Sequence, residues 1–473
     1  MDKHVSHRKI RGKLFLAITA MVILAVAVFV MDRCGVFLPG WIVWEERTVE
    51  AGDGITIALQ NREVRIYKEN GLIHRISGEV KTQDLVVTDL DRDGDPELVL
   101  LCWKRGKYGS AQPFWVKDNP QDWSQHIFIY DLNADGSVTN KWFSSDNGVD
   151  FVRFKSMEKN PQILLMEDTE GRCTLWQWQS WGLKNMDNEV RFIAFGDNLI
   201  HDSIYEYAER EQGGSYEFLY KEVLEEVKNA DLAALQLESI LVDDPSLVSS
   251  YPYFGTPVAV GEAICNAGFD IVSCAGNHAA DKGITGINTT ASFFDKRNVT
   301  VLGIQSGDDT EYVPCRYISR NGIRFALFDY TYGTSVNLYD KYPYAVHYLD
   351  PDQIRKDFYV CEADFKVVFV HWGTEYTDGP DEQQREYAEL FTELGADVVI
   401  GTHPHVIQPM VQNADSNGHS TLVAYSLGNF RAAQPFDERT KRGGELVFTV
   451  EHCWGGVRIK DWELKEFDIP FYR

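Results

Sequence analysis

The chain lacks several features that would assign it to a common class of protein. Its eight cysteines are dispersed and contain no CxxC pair, which excludes zinc ribbons and thioredoxin-like redox sites. Cations are few, since 46 Lys and Arg against 71 Asp and Glu leave a formal net charge of −25. A chain this acidic does not bind nucleic acid through its general field. An anionic substrate would need local cations, such as bound metal ions.

One segment near the N-terminus is long and apolar. Residues 14–31 are apolar or neutral throughout, and such a run just reaches across ~30 Å of hydrocarbon as a helix. The basic residues of the tail 1–13 predict a cytoplasmic N-terminus. No small-x-small cleavage site follows before Asp32, which favours an uncleaved anchor over a signal peptide. We therefore predict a single-pass protein of the cell membrane, with a linker over 32–54 and the remainder outside.

Residues 55–185 have an all-β pattern of short Val, Ile, Tyr and Trp runs between Gly, Asn and Asp. A weak internal repeat is present. DPELVLL at residues 95–101 matches NPQILLM at residues 160–166, and Ile-Tyr at 66–67 matches Ile-Tyr at 129–130. Repeated strand units of this kind predict the blades of a small or partial propeller-like region.

An acidic loop lies inside the first repeat, at residues 89–97. Carboxylates follow one another around Gly94 in the spacing with which a loop wraps Ca²⁺: Asp89, Asp91, Asp93 and Glu97. The loop resembles those of FG-GAP or VCBS-type β repeats, and we predict a calcium site there. The alternative is an acidic turn that holds no ion.

The pattern changes at about residue 190, and a second domain is predicted over 190–473. Apolar strand-like runs alternate with amphipathic helical stretches, which indicates an α/β domain with a mainly parallel sheet. Five strands are predicted, at residues 191–197, 231–238, 270–278, 366–373 and 397–405.

Each predicted strand ends in side chains that can bind a metal ion. Carboxyl ends of parallel strands meet at one edge of a sheet, where ligands bind in open α/β folds. We therefore expect these donors on one edge: Asp197 with His201, Glu238, Asn277 with His278 and Asp281, His371, and His403 with His405. A lone His after a strand is most often structural, but five such ends in one domain favour a metal site.

The same segments resemble, in order, the motifs of the CapA family. They are AFGDNLIHDSIY (194–205), ADLAALQLES (230–239), AGNHAADKG (275–283), HWGTEY (371–376), GADVVIGTHPHVIQP (395–409) and YSLGNF (425–430). That family comprises capsule and poly-γ-glutamate biosynthesis proteins of the calcineurin-like metallophosphoesterase superfamily. The resemblance implies a four-layer α-β-β-α sandwich with two divalent transition metal ions.

The resemblance also implies roles for individual residues. His278 corresponds to the catalytic histidine of the superfamily, and we predict Asp281 as a second catalytic residue. The metal ligands implied are Asp197, Glu238, Asn277, His371, His403 and His405, and mixed ligands of this kind suit Mn, Fe or Zn. The superfamily's Asp-x-His motif has Leu199 at its third position here, so His201 is the substitute we predict.

Two functions follow from these expectations. The first is a metal-dependent, phosphoesterase-like hydrolase at the outer face of the membrane, acting on a phosphoester or on an amide bond of an anionic envelope polymer such as poly-γ-glutamate. The second is a non-catalytic accessory component that works with polymer synthase or export subunits. A retained metal site favours the first, and the family name favours the second.

Overall fold

A computed structural model describes residues 2–76, 78–109, 112, 114–118 and 120–472, with only the main chain for residues 2–12. The chain divides into two compact units, Met1–Asp187 and Asn188–Arg473.

The first unit begins with one long helix, α1 (Asp2–Arg33). Its part Lys13–Arg33 has a mean hydropathy of 3.0 and is long and apolar enough to cross a membrane. The apolar side chains of this part are exposed, as in Phe15 and Leu24. Met1 and the side chains of residues 2–12, where the basic tail is predicted, lie outside the described residues. The helix is a candidate membrane anchor.

The rest of the first unit consists of three four-stranded antiparallel sheets, each with its strands in chain order. The first contains β1 (Arg47–Glu50), β2 (Ile55–Gln60), β3 (Glu63–Lys68) and β4 (Gly71–Ile76). The second contains β5 (Lys81–Thr88), β6 (Glu97–Arg105), β7 (Trp123–Leu132) and β8 (Val138–Phe143). The third contains β9 (Phe151–Ser156), β10 (Ile163–Asp168), β11 (Cys173–Gln179) and β12 (Gly182–Met186).

Consecutive sheets pack face to face, as blades of a propeller do. Ile57 and Ile66 of the first sheet share an apolar core with Leu100 of the second. A further core joins the second and third sheets. The repeated segments occupy equivalent places, since they lie on the second strands β6 and β10 and on the third strands β3 and β7. The linker prediction was too long, because β1 lies inside it and pairs with β2.

The second unit alternates strands and helices. In chain order its elements are β13 (Glu189–Asn198), α2 (Asp202–Glu211), α3 (Leu224–Lys228), β14 (Leu232–Leu237), β15 (Leu241–Val242), β16 (Thr256–Pro257), α4 (Val258–Ala267), β17 (Ile271–Ser273), α5 (Gly283–Asp295), β18 (Thr300–Leu302), β19 (Arg316–Arg320), β20 (Ile323–Thr331), α6 (Pro351–Val360), β21 (Phe365–His371), α7 (Glu382–Glu393), β22 (Val398–Thr402), β23 (Met410–Ala414), β24 (Ser420–Ala424), β25 (Asn429–Arg431), β26 (Arg442–Cys453) and β27 (Gly456–Asp468).

These elements build a four-layer α-β-β-α sandwich. A seven-stranded sheet has the order β18-β17-β14-β13-β26-β27, with β25 also paired to β13, and a six-stranded sheet has the order β19-β20-β21-β22-β24-β23. The two sheets pack face to face through one apolar core, in which Phe192 of the first sheet meets Phe325 of the second and Phe448 meets Phe365. Helices α2 to α5 cover the outer face of the first sheet, and α6 and α7 cover that of the second.

The expectation that all five donor-bearing strands share one sheet edge was wrong. Strands β13, β14 and β17 belong to the seven-stranded sheet, whereas β21 and β22 belong to the six-stranded sheet. The apolar runs look alike because all five strands are buried on both faces. The donors therefore come from two facing sheets whose carboxyl ends lie side by side.

A disulfide joins Cys315, just before β19, to Cys361, at the end of α6. The sequence did not reveal this pair, because the cysteines lie 46 residues apart and only the fold brings them together. The bond therefore fixes a helix of the outer layer to the edge of the six-stranded sheet.

Removing this disulfide should lower stability substantially. In the chain-entropy account, closing a loop of this length raises the free energy of unfolding by about 4 kcal/mol. Removal of a native disulfide from small secreted domains typically costs about 2 to 5 kcal/mol. We expect a Cys315→Ala/Cys361→Ala variant to lose free energy of unfolding in that range by denaturant titration. A reductant should lower the stability of the natural chain but not that of the variant. Equal stability of both proteins without reductant would contradict the prediction.

Candidate metal centre

The predicted donors converge because strands of both sheets end close together. Asp197 lies near the end of β13, and Glu238 directly follows β14. The close approach depends on glycine: a Cβ at Gly196 would lie 1.9 Å from the carbonyl oxygen of Gly428. The main chain of Asp197 donates to that same oxygen at 3.0 Å. A larger residue at position 196 would thus push the end of β13 away from the site.

The structure brings two overlapping groups of three donors together. In each group the ligand atoms lie within 4.8 Å of one another, and every residue is buried. One group is Glu238, His371 and His403, and the other is Asp197, Glu238 and His405. Glu238 belongs to both groups.

Glu238 has an environment that is unfavourable unless a cation is present. Its side chain is fully buried, and neither carboxylate oxygen has a hydrogen-bond partner among the described residues. The same holds for Nδ1 of the buried ring of His403. A buried carboxylate without a hydrogen bond costs a large desolvation free energy, which the imidazoles of His371 and His405 at 3.8 Å offset only when protonated, and which a bound cation would offset. The donor set fits a divalent transition metal.

Burial and mutual repulsion perturb the titration of these groups. Burial raises the pKa of Glu238 well above its usual value, and the Asp197 carboxylate adds to the rise. Burial also lowers the pKa of His403 to about 3, and neighbouring histidines contribute. Burial lowers the pKa of His405 as well, but Glu238 and Asp197 outweigh it and raise the value to about 9. Neutral imidazole is the form that binds metals, and burial favours it at His403.

Polar neighbours fix the orientation of the histidine rings. The Nε2 atom of His371 lies 3.1 Å from Oδ1 of Asn277, and its Nδ1 lies 3.0 Å from the Thr402 hydroxyl. His405 Nδ1 lies 3.0 Å from Oδ1 of Asn429. Sequence reasoning missed Thr402 and Asn429 as site residues, although Asn429 lies in the YSLGNF motif quoted above. Contacts of this kind set ring direction and tautomer.

The loop that carries two of the histidines is strained. His403 has φ of 96° and His405 has φ of 59°, in the left-handed region that side-chain-bearing residues rarely adopt. Conformations of this kind persist only where surrounding contacts impose them. The main-chain N–H of His403 donates to the Asp197 carboxylate at 3.3 Å, which is one such contact.

His278 and Asp281 form a pair at the edge of the site. The Nδ1 atom of His278 donates to Oδ2 of Asp281 at 2.7 Å, and the main-chain N–H of Phe254 donates to the same oxygen. The His278 side chain is 11% exposed, whereas that of Asp281 is fully buried. The carboxylate thus holds the imidazole by one nitrogen and leaves Nε2 for another partner.

His201 is not brought into either donor group. Its Nδ1 lies 2.9 Å from the carbonyl oxygen of Leu199 and 3.2 Å from the main-chain nitrogen of Ala433, and its ring packs against Phe254. His201 is the N-cap residue of α2. Its predicted role as a ligand remains a prediction that these contacts do not favour.

A buried aspartate supports the turn that carries Asn277 and His278. Oδ2 of Asp329, on β20, accepts the main-chain N–H groups of Cys274 and Ala275 at 2.9 Å each. Burial raises the pKa of Asp329 to about 8, in spite of these hydrogen bonds. A residue of the six-stranded sheet therefore anchors the end of β17 in the other sheet.

The predicted calcium loop lies in the first unit. Oxygens of Asp89, Asp91 and Glu97 lie within 4.8 Å of one another, as a cation would require. The ammonium group of Lys141 already contacts Asp91 at 2.6 Å and Glu97 at 2.7 Å. Asp93 instead accepts from the main chain of Asp95. The calcium site remains a prediction, with Lys141 as a competing internal cation.

Comparison with known proteins places the second unit in a family. The profile described as "Bacterial capsule synthesis protein PGA_cap" matches residues 191–434, more than half of the chain. The chain belongs to this family. The matched segment contains every residue of the two donor groups, together with His278 and Asp281, so the centre described above lies within the family's own domain.

Two known proteins are similar in sequence to part of this chain. A protein named PGA biosynthesis protein CapA, from Bacillus subtilis, is 31% identical over 171 residues, covering 34% of this chain and 42% of the relative. A protein named Capsule biosynthesis protein CapA, from Bacillus anthracis, is 26% identical over 262 residues, covering 52% of this chain and 61% of the relative. The chain thus spans about half the length of the relatives it matches.

Solved structures with similarity to this PGA_cap protein include a phosphatase from Mycoplasma pneumoniae and the calcineurin-like phosphoesterase YfkN from Bacillus subtilis. The first has a TM-score of 0.39 and 14% identity, and covers 60% of this chain and 96% of that one. The second has a TM-score of 0.36 and 13% identity, and covers 59% of this chain and 91% of that one.

Proposed function

We propose that this protein is a metal-dependent hydrolase that acts outside the cell membrane on an anionic envelope polymer during capsule or poly-γ-glutamate biosynthesis. The bond cleaved is a phosphoester or an amide. The observation that carries the proposal is Glu238, a buried carboxylate with two unpartnered oxygens that belongs to both donor groups. A folded protein with a cluster of this composition is most stable when cations occupy the cluster.

The chemistry follows from the residues around that cluster. Two bound cations would supply an activated hydroxide and a positive clamp for an anionic centre. His278 then serves at Nε2, where its protonated, imidazolium form can give a proton to the leaving group. Asp281 accepts from the opposite nitrogen at 2.7 Å, and so orients the ring and stabilises the imidazolium. Asp281 is accordingly a positioning residue.

The location outside the membrane has two supports. Helix α1 contains a segment long and apolar enough to span a membrane, and the basic tail before it favours a cytoplasmic N-terminus. The disulfide between Cys315 and Cys361 lies in the second unit, and such bonds persist in oxidising compartments. An external second unit satisfies both observations.

The proposed substrate class rests on charge and on the relatives. The chain carries a net charge of −25, so it would repel an anionic polymer except where bound cations attract it. The relatives are named for the biosynthesis of PGA and of capsule. An anionic polymer is therefore the first substrate to test.

A second candidate is a non-catalytic component of a synthesis or export complex. The position of His201 favours it, because the residue proposed to replace the usual Asp-x-His histidine lies outside both donor groups. In that case the centre would hold at most a structural metal, and contacts with polymer synthase or export subunits would be the function.

The full-length protein, purified in detergent with added Mn²⁺, Fe²⁺ or Zn²⁺, provides the test. We expect about two metal ions per chain by elemental analysis, anomalous scattering at both donor groups, and hydrolysis of bis(p-nitrophenyl) phosphate or of an oligo-γ-glutamate. Metal without turnover of either substrate would support the accessory role. Absence of both metal and turnover would overturn the hydrolase proposal.

A further inference from the structure

A tyrosine-rich cavity opens beside the candidate metal centre. Its volume is about 620 Å³, which is within the range of pockets that enclose small organic ligands. Five tyrosines contribute to its wall: Tyr312, Tyr332, Tyr339, Tyr344 and Tyr348. Tyr332 and Tyr339 are 44% and 57% exposed, so their rings are open to a ligand.

Tyr332 connects the cavity to the metal centre. It follows β20, and its ring centroid lies 4.7 Å from that of His403. The same ring is stacked with His371, at 6.3 Å and an interplanar angle of 11°. A ligand that rests on the cavity side of Tyr332 is therefore separated from two candidate metal ligands by one aromatic ring.

The charge of the cavity excludes an anionic ligand. Its lining contains no lysine and no arginine among the described residues. The one carboxylate is Asp350, which uses Oδ1 to accept the main-chain N–H groups of Asp352 and Gln353 at the start of α6. The other polar side chains that line it, such as Thr334 and Asn337, are neutral. A run of free carboxylates would meet only repulsion here.

We propose that this cavity binds a neutral pyranose ring of a saccharide. The flat apolar face of such a ring packs on tyrosine faces, and its hydroxyls suit the Oδ2 atom of Asp350 and the hydroxyl of the exposed Tyr339. A cation would find little countercharge, because Asp350 is the one carboxylate among the described lining residues and it uses one oxygen at the start of α6. Only the further step, that this saccharide belongs to the substrate cleaved at the metal centre, rests on the proposed function.

Binding to the full-length protein in phosphatidylglycerol nanodiscs tests the proposal by saturation-transfer NMR and calorimetry. The probes are chitotriose, tri-γ-glutamate and choline. We expect chitotriose alone to bind, with a millimolar dissociation constant that Tyr339→Ala weakens by about three- to tenfold. The matched control is Tyr359→Ala, because Tyr359 is 89% exposed on α6 and does not line the cavity. It should leave binding unchanged.

Three outcomes would overturn the proposal: no binding of chitotriose, equal binding by Tyr339→Ala, or a stronger Tyr339-dependent response to choline or tri-γ-glutamate. A His403→Ala variant separates this result from the proposed function. It should lose metal and keep chitotriose binding. If the natural chain binds chitotriose but neither holds metal nor shows turnover, the cavity assignment stands and the hydrolase proposal is overturned.

Discussion

Replacing Glu238 by methionine should remove metal from both donor groups and make the metal-free protein more stable. The carboxylate has no hydrogen-bond partner to lose, and methionine fills a similar volume without a buried polar group. His405 keeps a countercharge, because the Asp197 carboxylate lies 3.2 Å from its Nδ1 atom. Removing an unsatisfied buried polar group is worth about 1 to 3 kcal/mol. The natural chain should instead gain about 2.7 kcal/mol from metal at one hundred times its dissociation constant, a gain that the variant loses.

Elemental analysis and denaturant titrations with and without metal measure both effects. The matched control is Glu445→Met, since Glu445 on β26 is also buried in the second unit but lies outside both donor groups. It should keep its metal content and the metal-dependent gain in stability. A Glu238→Met protein that retains both metals would show that Glu238 is not shared between them.

The second large effect is expected at His278. Replacing it by alanine should lower turnover by about 10² to 10⁴-fold, the usual contribution of a general acid or base. Metal content should stay unchanged, because His278 lies outside both donor groups. Added imidazole should restore part of the lost activity. Full activity in His278→Ala would contradict the assigned role, and loss of metal would make the residue a ligand.

Asp281 should give a different pattern from His278. Asp281→Asn replaces the carboxylate by a neutral amide, whose NH₂ group can donate to Nδ1 and impose the wrong tautomer on His278, so kcat should fall while KM changes little. Imidazole should not restore this loss, because the ring of His278 is still present. His74→Ala, which replaces an exposed histidine on β4, is the control for His278→Ala and should leave activity unchanged. An Asp281→Asn protein with raised KM and normal kcat would argue against a positioning role.

The local parts of this structure were predictable. The five strands predicted for the second unit are present at their apolar runs. For example, β13 spans Glu189–Asn198, where residues 191–197 were predicted. The strand pairs related by the internal repeat fall at equivalent places in consecutive sheets. Such signals are local, because alternation and burial act on neighbouring residues of one strand.

The metal-binding residues at the ends of those strands could also be predicted, because their residue types and their order along the chain are visible in the sequence. Asp197, Glu238, His371, His403 and His405 were predicted as donors, and all five belong to the two groups that the fold assembles. Their roles as ligands remain predictions. His201 shows the limit of this reasoning, because a histidine two residues from the expected position can turn to the main chain instead.

The sequence by itself determined which segments become strands, which donors follow them and which family the order of motifs resembles. Only the tertiary structure decided that the donors come from two facing sheets, that Glu238 is common to both groups, and that Cys315 meets Cys361. It also placed Asn429 against His405 and Asp329 under the turn of Asn277. The reason is physical: strand periodicity is set by near neighbours, whereas sheet membership and shared contacts depend on packing between residues far apart in the chain.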